Sequence, residues 1–80
     1  MLISFKMTKL GIYKHSKKGT LYRVIGTAVH SETLEFMVVY EAQYDNPVSK
    51  LWVRPAAMFE EIIELEGKKV PRFQLVSESL

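Results

Sequence analysis

Apolar and polar positions alternate along most of this chain with a period near two, and short polar clusters interrupt the alternation at intervals of about 8–12 residues. Gly11-Ile12-Tyr13-Lys14-His15 reads as a short strand, and Ser16-Lys17-Lys18-Gly19 as a turn in which Gly19 supplies a positive φ. A long β-prone run follows from Leu21 to His30, with Gly26 marking a bulge or bend in its middle. His30-Ser31-Glu32-Thr33 punctuates, and a second run extends from Leu34 to Gln43, so the two form an antiparallel hairpin closed around residues 31–33. In that second run Leu34, Phe36, Val38, Tyr40 and Ala42 share one parity and are the expected core face.

The second half is shorter in its rhythm. Tyr44-Asp45-Asn46-Pro47-Val48-Ser49 is a loop, Lys50 to Arg54 a strand, and Pro55 is suited to open a helical turn over about 55–60. A strand is expected from about 61, then a hairpin turn at Glu66-Gly67-Lys68-Lys69, then a returning strand from Val70 to Val76. Pro71 lacks a ladder donor, which places that last strand at an edge. No internal repeat is visible. The pattern predicts a mainly β fold, a small barrel or roll of five to six antiparallel strands with one short helical turn near 55–60.

At 80 residues there is room for one core. The expected organisation is an N-terminal extension at 1–10, one β domain at 11–76 and a tail at 77–80, with Met7 as a second possible start. Cysteine is absent, so neither a disulfide nor a thiolate metal site supplements the core, and a reducing compartment is consistent with this. Met1 to Leu10 is broken by Lys6 and Lys9 and does not read as a targeting segment, and no apolar run approaches the length of a membrane span. A cytoplasmic protein without membrane association is the expectation.

Net charge is only +2 but unevenly spread. Residues 1–30 hold six Lys and Arg and no carboxylate, while residues 31–66 hold eight carboxylates against two cations. Segregation of this kind suits an anionic partner, and equally suits cross-strand pairing between the two halves; the second is favoured.

Several blocks follow one another in a distinctive order: Gly11 to Gly19, His30-Ser31-Glu32-Thr33-Leu34-Glu35, Val38-Val39-Tyr40, Leu51-Trp52-Val53-Arg54-Pro55, Met58-Phe59 and Val70-Pro71-Arg72-Phe73. Together they resemble the bacterial domain-of-unknown-function family numbered 1653, over roughly residues 11–73. The resemblance implies a small SH3-like barrel and implies no activity. It departs at Ser16, where the family often carries an aromatic, and this argues against an aromatic platform at the first turn.

Candidate chemistry is sparse. His30 and Glu32 lie two apart and would share a strand face, but with His15 they make a weak metal set, and turn bonding by His30 is the favoured alternative. No nucleophile elbow, cysteine or phosphate-cradling glycine loop is present, so no catalytic residue, metal or cofactor is assigned and an enzyme is disfavoured. What stands out is aromatic and basic. Trp52 and Arg54 are expected on one strand face, and Tyr13, Lys14, His15, His30, Glu32, Trp52, Arg54 and Arg72 are the candidate binding residues. Most aromatics are expected to serve the core, with Tyr13 and Tyr44 the exposed ones, and Arg54 is expected to pair with the acidic middle section. A binding module for a protein or peptide is the leading expectation. Nucleic-acid or nucleotide binding through the basic first third is the alternative, and a small-molecule enzyme using His30 and Glu32 comes last.

Overall fold

The structure is a computed structural model that describes residues 8–78. Seven strands and one helical turn follow in order: β1 Gly11–His15, β2 Leu21–Val29, β3 Phe36–Ala42, β4 Leu51–Pro55, α1 Ala56–Phe59, β5 Ile62–Leu65, β6 Lys68–Pro71 and β7 Phe73–Ser77. Five strands form one antiparallel sheet in the order β4-β3-β2-β1-β7, and β5 and β6 form a separate two-stranded ribbon. The mainly β class with a single helical turn is as the alternation predicts. Among the described residues, the hydrogen-bonded order is open, ending at β4 and β7, and it does not close into a barrel. No helix among them is long and apolar enough to cross a membrane. The proposed extension falls largely on residues outside the described set, as does the end of the tail; β7 runs to Ser77.

The returning strand expected at 70–76 is two strands. Pro71 pairs with Ile62 in the ribbon, whereas Phe73 pairs with His15 in the main sheet. The chain changes sheet at Arg72. Its N–H donates to the Glu61 carbonyl, and its own carbonyl accepts from the Ser16 N–H, so its backbone bonds to both sides of the corner. The ribbon closes through Glu66 and Gly67, both at positive φ (51° and 78°), the pair of conformations that matches strand twist in a two-residue hairpin. Gly26 does mark a bulge, because the β2–β3 register slips between Val24 and Gly26.

One turn is used twice. His15-Ser16-Lys17-Lys18-Gly19-Thr20 joins β1 to β2, and His30-Ser31-Glu32-Thr33-Leu34-Glu35 joins β2 to β3. In each, the histidine N–H donates to the carbonyl five residues on (2.9 Å in both), and the residue four on donates back to the histidine carbonyl (2.7 and 2.9 Å). In each, the imidazole Nδ1 accepts from the next-but-one and following N–H groups. Gly19 and Leu34 both sit in the left-handed region, at φ 75° and 63°. No repeat was evident from the sequence, because the two segments share only the leading His-Ser and a conformation.

The core is aromatic. Tyr13, Tyr22, Val24, Val38, Tyr40, Ala42, Phe59 and Phe73 are its buried members. Phe59 and Phe73 stack with centroids 4.2 Å apart and planes within 2°. Tyr13 and Tyr22 meet this pair edge-on, at 5.3 Å from Phe59 and 5.6 Å from Phe73. Helix α1 exists to deliver Phe59. Pro55 precedes it without a side-chain cap, and Phe59 is its only buried residue. The parity assigned to β3 is right for Val38, Tyr40 and Ala42, but Leu34 and Phe36 are exposed. The reason is reach. β1 stops opposite Val24, so the far end of the β2–β3 hairpin projects beyond the layer that buries the rest.

Candidate functional site

β4 sets the site. Trp52 and Arg54 project to one face, half-buried, while Leu51 and Val53 project to the other and are exposed. Trp52 lies opposite Tyr40 and Arg54 opposite Val38 in β3. On the Trp52 side is a cleft of about 120 Å³ whose floor is Tyr22, Tyr40 and Phe73. Its rim is supplied by the first histidine turn, through His15 and Lys18, by the loop after β3, through Tyr44 and Asn46, and by Trp52 and Arg54 of β4.

The rim is held by local bonds. Asn46 Oδ1 accepts from the Val48 and Ser49 N–H groups, so the Asn-Pro loop folds on its own side chain. Its Nδ2 then donates to the Tyr44 hydroxyl at 2.9 Å, which lies 3.0 Å from the Tyr22 hydroxyl, and Thr20 Oγ1 donates to Tyr22. Burial pushes the Tyr22 phenol up from its ordinary range, so it is protonated at neutral pH. Trp52 Nε1 donates to the Ser49 carbonyl at 3.0 Å, fixing the indole to the base of that loop. Arg54 lies with its guanidinium carbon 5.6 Å from the Phe73 centroid, within cation–π range. No carboxylate among the described residues is within ion-pair distance of it, which corrects the expectation that it pairs with the acidic section.

His15 is the buried polar member, 5% exposed, with its ring edge-on to Phe73 at 5.0 Å. Burial lowers its pKa from the usual value, and the charges of Lys18, Arg72, Arg54 and Lys17 add to this. A neutral ring with Nδ1 accepting the Lys17 and Lys18 N–H groups carries its hydrogen on Nε2.

The structure therefore brings His15, Trp52 and Arg54 together. Arg72 stands behind them at the corner, its Nη2 3.4 Å from Glu61. Lys14 is exposed on β1. Tyr13 is not exposed as expected. It is 6% exposed, its hydroxyl donating to the Lys9 carbonyl at 2.8 Å, because β1 turns it onto Phe59. Tyr44, at 39%, is exposed as expected. His30 and Glu32 sit in the second turn, away from the cleft, with His30 Nδ1 occupied by the turn itself. No group of three or more His, Asp or Glu able to hold a metal exists among the described residues. Sequence reasoning missed Lys18, Tyr44 and Asn46 as rim residues. The signal for Asn46 was its place before Pro47, which marked a loop but not the direction in which its amide points.

A second, wider cleft of about 390 Å³ lies between β7 and the ribbon, lined by Tyr13, Glu60, Ile62, Pro71, Phe73 and Leu75 as well as Lys9. Its polar groups are engaged locally: Tyr13 with the Lys9 carbonyl, Glu60 with Thr8 at 3.1 Å, and Lys9 with Glu78 at 3.7 Å.

Comparison with known proteins adds a family. The sequence pattern of "Protein of unknown function (DUF1653)" matches residues 11–75. The crystal structure of a protein of that family from Bordetella bronchiseptica superposes with a TM-score of 0.80 at 30% identity, covering 86% of this chain and 87% of that one. No curated protein matches the chain.

Proposed function

Because this chain belongs to the DUF1653 family, whose function is unknown, we propose from its geometry that it is a non-enzymatic binding module for a protein or peptide, with the cleft beside Trp52 as its docking point. The observation that carries this reading is the meeting of His15, Trp52 and Arg54 on one preorganised rim. Rim groups fixed by their own loops lose little freedom on binding, which favours affinity. The size of the cleft supports a side chain or chain end as the inserted group, since about 120 Å³ is well below the roughly 300–1,000 Å³ of pockets that enclose a whole small molecule. The engagement of His15 Nδ1 by its own turn speaks against that nitrogen as a catalytic base.

Peptides selected from a random library against the wild-type protein test this. They are expected to perturb Trp52 fluorescence and to bind Arg54→Ala roughly tenfold more weakly, a loss of about 1.4 kcal/mol. Selected peptides that bind a folded Arg54→Ala protein unchanged, and leave Trp52 silent, would place the interface elsewhere.

A second reading rests on the exposed Lys14, Lys17 and Lys18, of which Lys18 lines the same cleft, and these suit a nucleic-acid backbone. Against it, Arg23 lies opposite Glu41 in the sheet and Lys9 is near Glu78, so part of the basic first third is balanced within the fold. Anisotropy with single-stranded oligonucleotides at two salt concentrations separates the readings, because phosphate contacts require a steep loss with salt.

A further inference from the structure

We propose that the group bound in this cleft is an oxyanion, a carboxylate or phosphate displayed by the partner, recognised by a rim rich in free donors and cations and without a carboxylate. The inference rests on the cleft being the binding site, and it deepens that reading by naming what the cleft accepts.

An inventory of bonds carries it. Asn46 Oδ1 is consumed by two backbone N–H groups, while its Nδ2 has two hydrogens and uses one on Tyr44. His15 Nδ1 is consumed by two more backbone N–H groups, leaving Nε2–H, which has no partner among the described residues. The two phenols of Tyr22 and Tyr44 have two hydrogens but share one bond. Thr20 and Asn46 already donate to their oxygens, so one phenolic O–H remains to be accepted. Trp52 Nε1–H is committed to Ser49. What is left facing a ligand is an imidazole N–H, an amide N–H and a phenolic O–H, together with the Lys18 and Arg54 cations. Every one of these donates. No carboxylate lines the cleft.

A ligand group presenting donors would meet unpaired donors and two positive charges there, and would lose hydrogen bonds it had in water. A group presenting several acceptor oxygens and negative charge would satisfy them, through charge-assisted bonds that are stronger than neutral ones. Arg54 is held over Phe73, so its fork is already oriented.

The test is titration of ¹⁵N-labelled protein at constant ionic strength with sodium phosphate, sodium acetate, and three end-blocked pentapeptides carrying a central aspartate, phosphoserine or asparagine. The expected result is saturable shifts at the Lys17 and Lys18 amides and the Asn46 side-chain amide with phosphate or acetate. Tighter binding is expected for the aspartate or phosphoserine peptide, whichever source is right, with none for asparagine. Arg54→Gln and Lys18→Gln, each checked by thermal melting, should weaken it roughly tenfold or more. Lys18 is exposed and outside the core, so its variant keeps the test alive if Arg54→Gln is unstable. Shifts that spread evenly over Lys14, Lys50, Lys68 and Lys69 would overturn the proposal. So would failure to saturate by about 50 mM anion, where a site with a Kd of about 1 mM is nearly full. Equal binding of the asparagine peptide at the cleft would remove the oxyanion while leaving the binding module. Library-selected peptides mapping to another face would remove both.

Discussion

Replacing Gly19 with alanine should destabilise the fold, and replacing Gly26 with alanine should stabilise it, although neither new methyl group touches anything. A Cβ built at either position has no heavy atom within 4 Å. Only the backbone differs: Gly19 is at φ 75°, whereas Gly26 lies outside the left-handed region. In the unfolded chain both substitutions remove the same glycine freedom, which favours the alanine variants by about 0.4–1 kcal/mol. At Gly19 the left-handed conformation costs alanine about 1–2 kcal/mol, so the net effect is a loss of up to about 1.5 kcal/mol. The difference between the two variants isolates the backbone cost, because the unfolded-state contribution cancels. For a domain of this size each kcal/mol moves the Tm by about 4–8 °C, so thermal melting by circular dichroism should separate the variants clearly. Equal Tm shifts of the same sign would refute the reasoning, and with it the claim that the first histidine turn demands its glycine.

Phe59→Ala removes half of the stacked pair at the centre of the core and should cost about 3–5 kcal/mol, a large share of the stability of a small domain, with denaturant unfolding as the measure. His15 gives a pH dependence of definite sign. Its native pKa is lowered, so the unfolded chain takes up a proton first as pH falls. The stability due to the neutral ring is fully present above its unfolded value of about 6.5 and is lost as pH drops through the native pKa. His15→Asn, whose side-chain oxygen offers the same acceptor to the Lys17 and Lys18 N–H groups, should flatten that part of the profile; an unchanged slope in urea titrations between pH 7 and 5 would contradict this. Glu61→Gln removes a half-exposed ion pair at 3.4 Å and should cost less than about 1 kcal/mol, visible as a small change in the urea midpoint.

What the sequence made legible was local and periodic. The parity of β3, the bulge at Gly26, the helical turn after Pro55 and the shared face of Trp52 and Arg54 all follow from one- or two-residue rules. What it hid depends on where elements end in space. Phe36 has core parity but sits past the end of β1, and Tyr13 looked like a surface aromatic until β1 placed it on Phe59. The break at Arg72 was hidden because Pro71 and Phe73 both have strand character, and only their different partners separate them. The rim was half legible. His15, Trp52 and Arg54 were named from chemistry, whereas Asn46 and Tyr44 join them through loop bonds that no pattern of apolar residues encodes.

The corner at Arg72 has a mechanical meaning. The chain enters the β5–β6 ribbon beside Glu61 and leaves it at Arg72, and these two residues are bonded to each other through both backbone and side chain. The ribbon is thus a flap held at its base, by the Glu61–Arg72 pair and by the Ser16 hydroxyl donating to the Pro71 carbonyl, with mostly exposed side chains along its length. Its amides from Ile62 to Val70 should exchange with solvent at lower free energy than those of β2 and β3, without the sheet opening. Because Ile62 and Pro71 form one wall of the wider cleft, each such excursion would uncover Tyr13 and Phe73 from the side opposite Arg54.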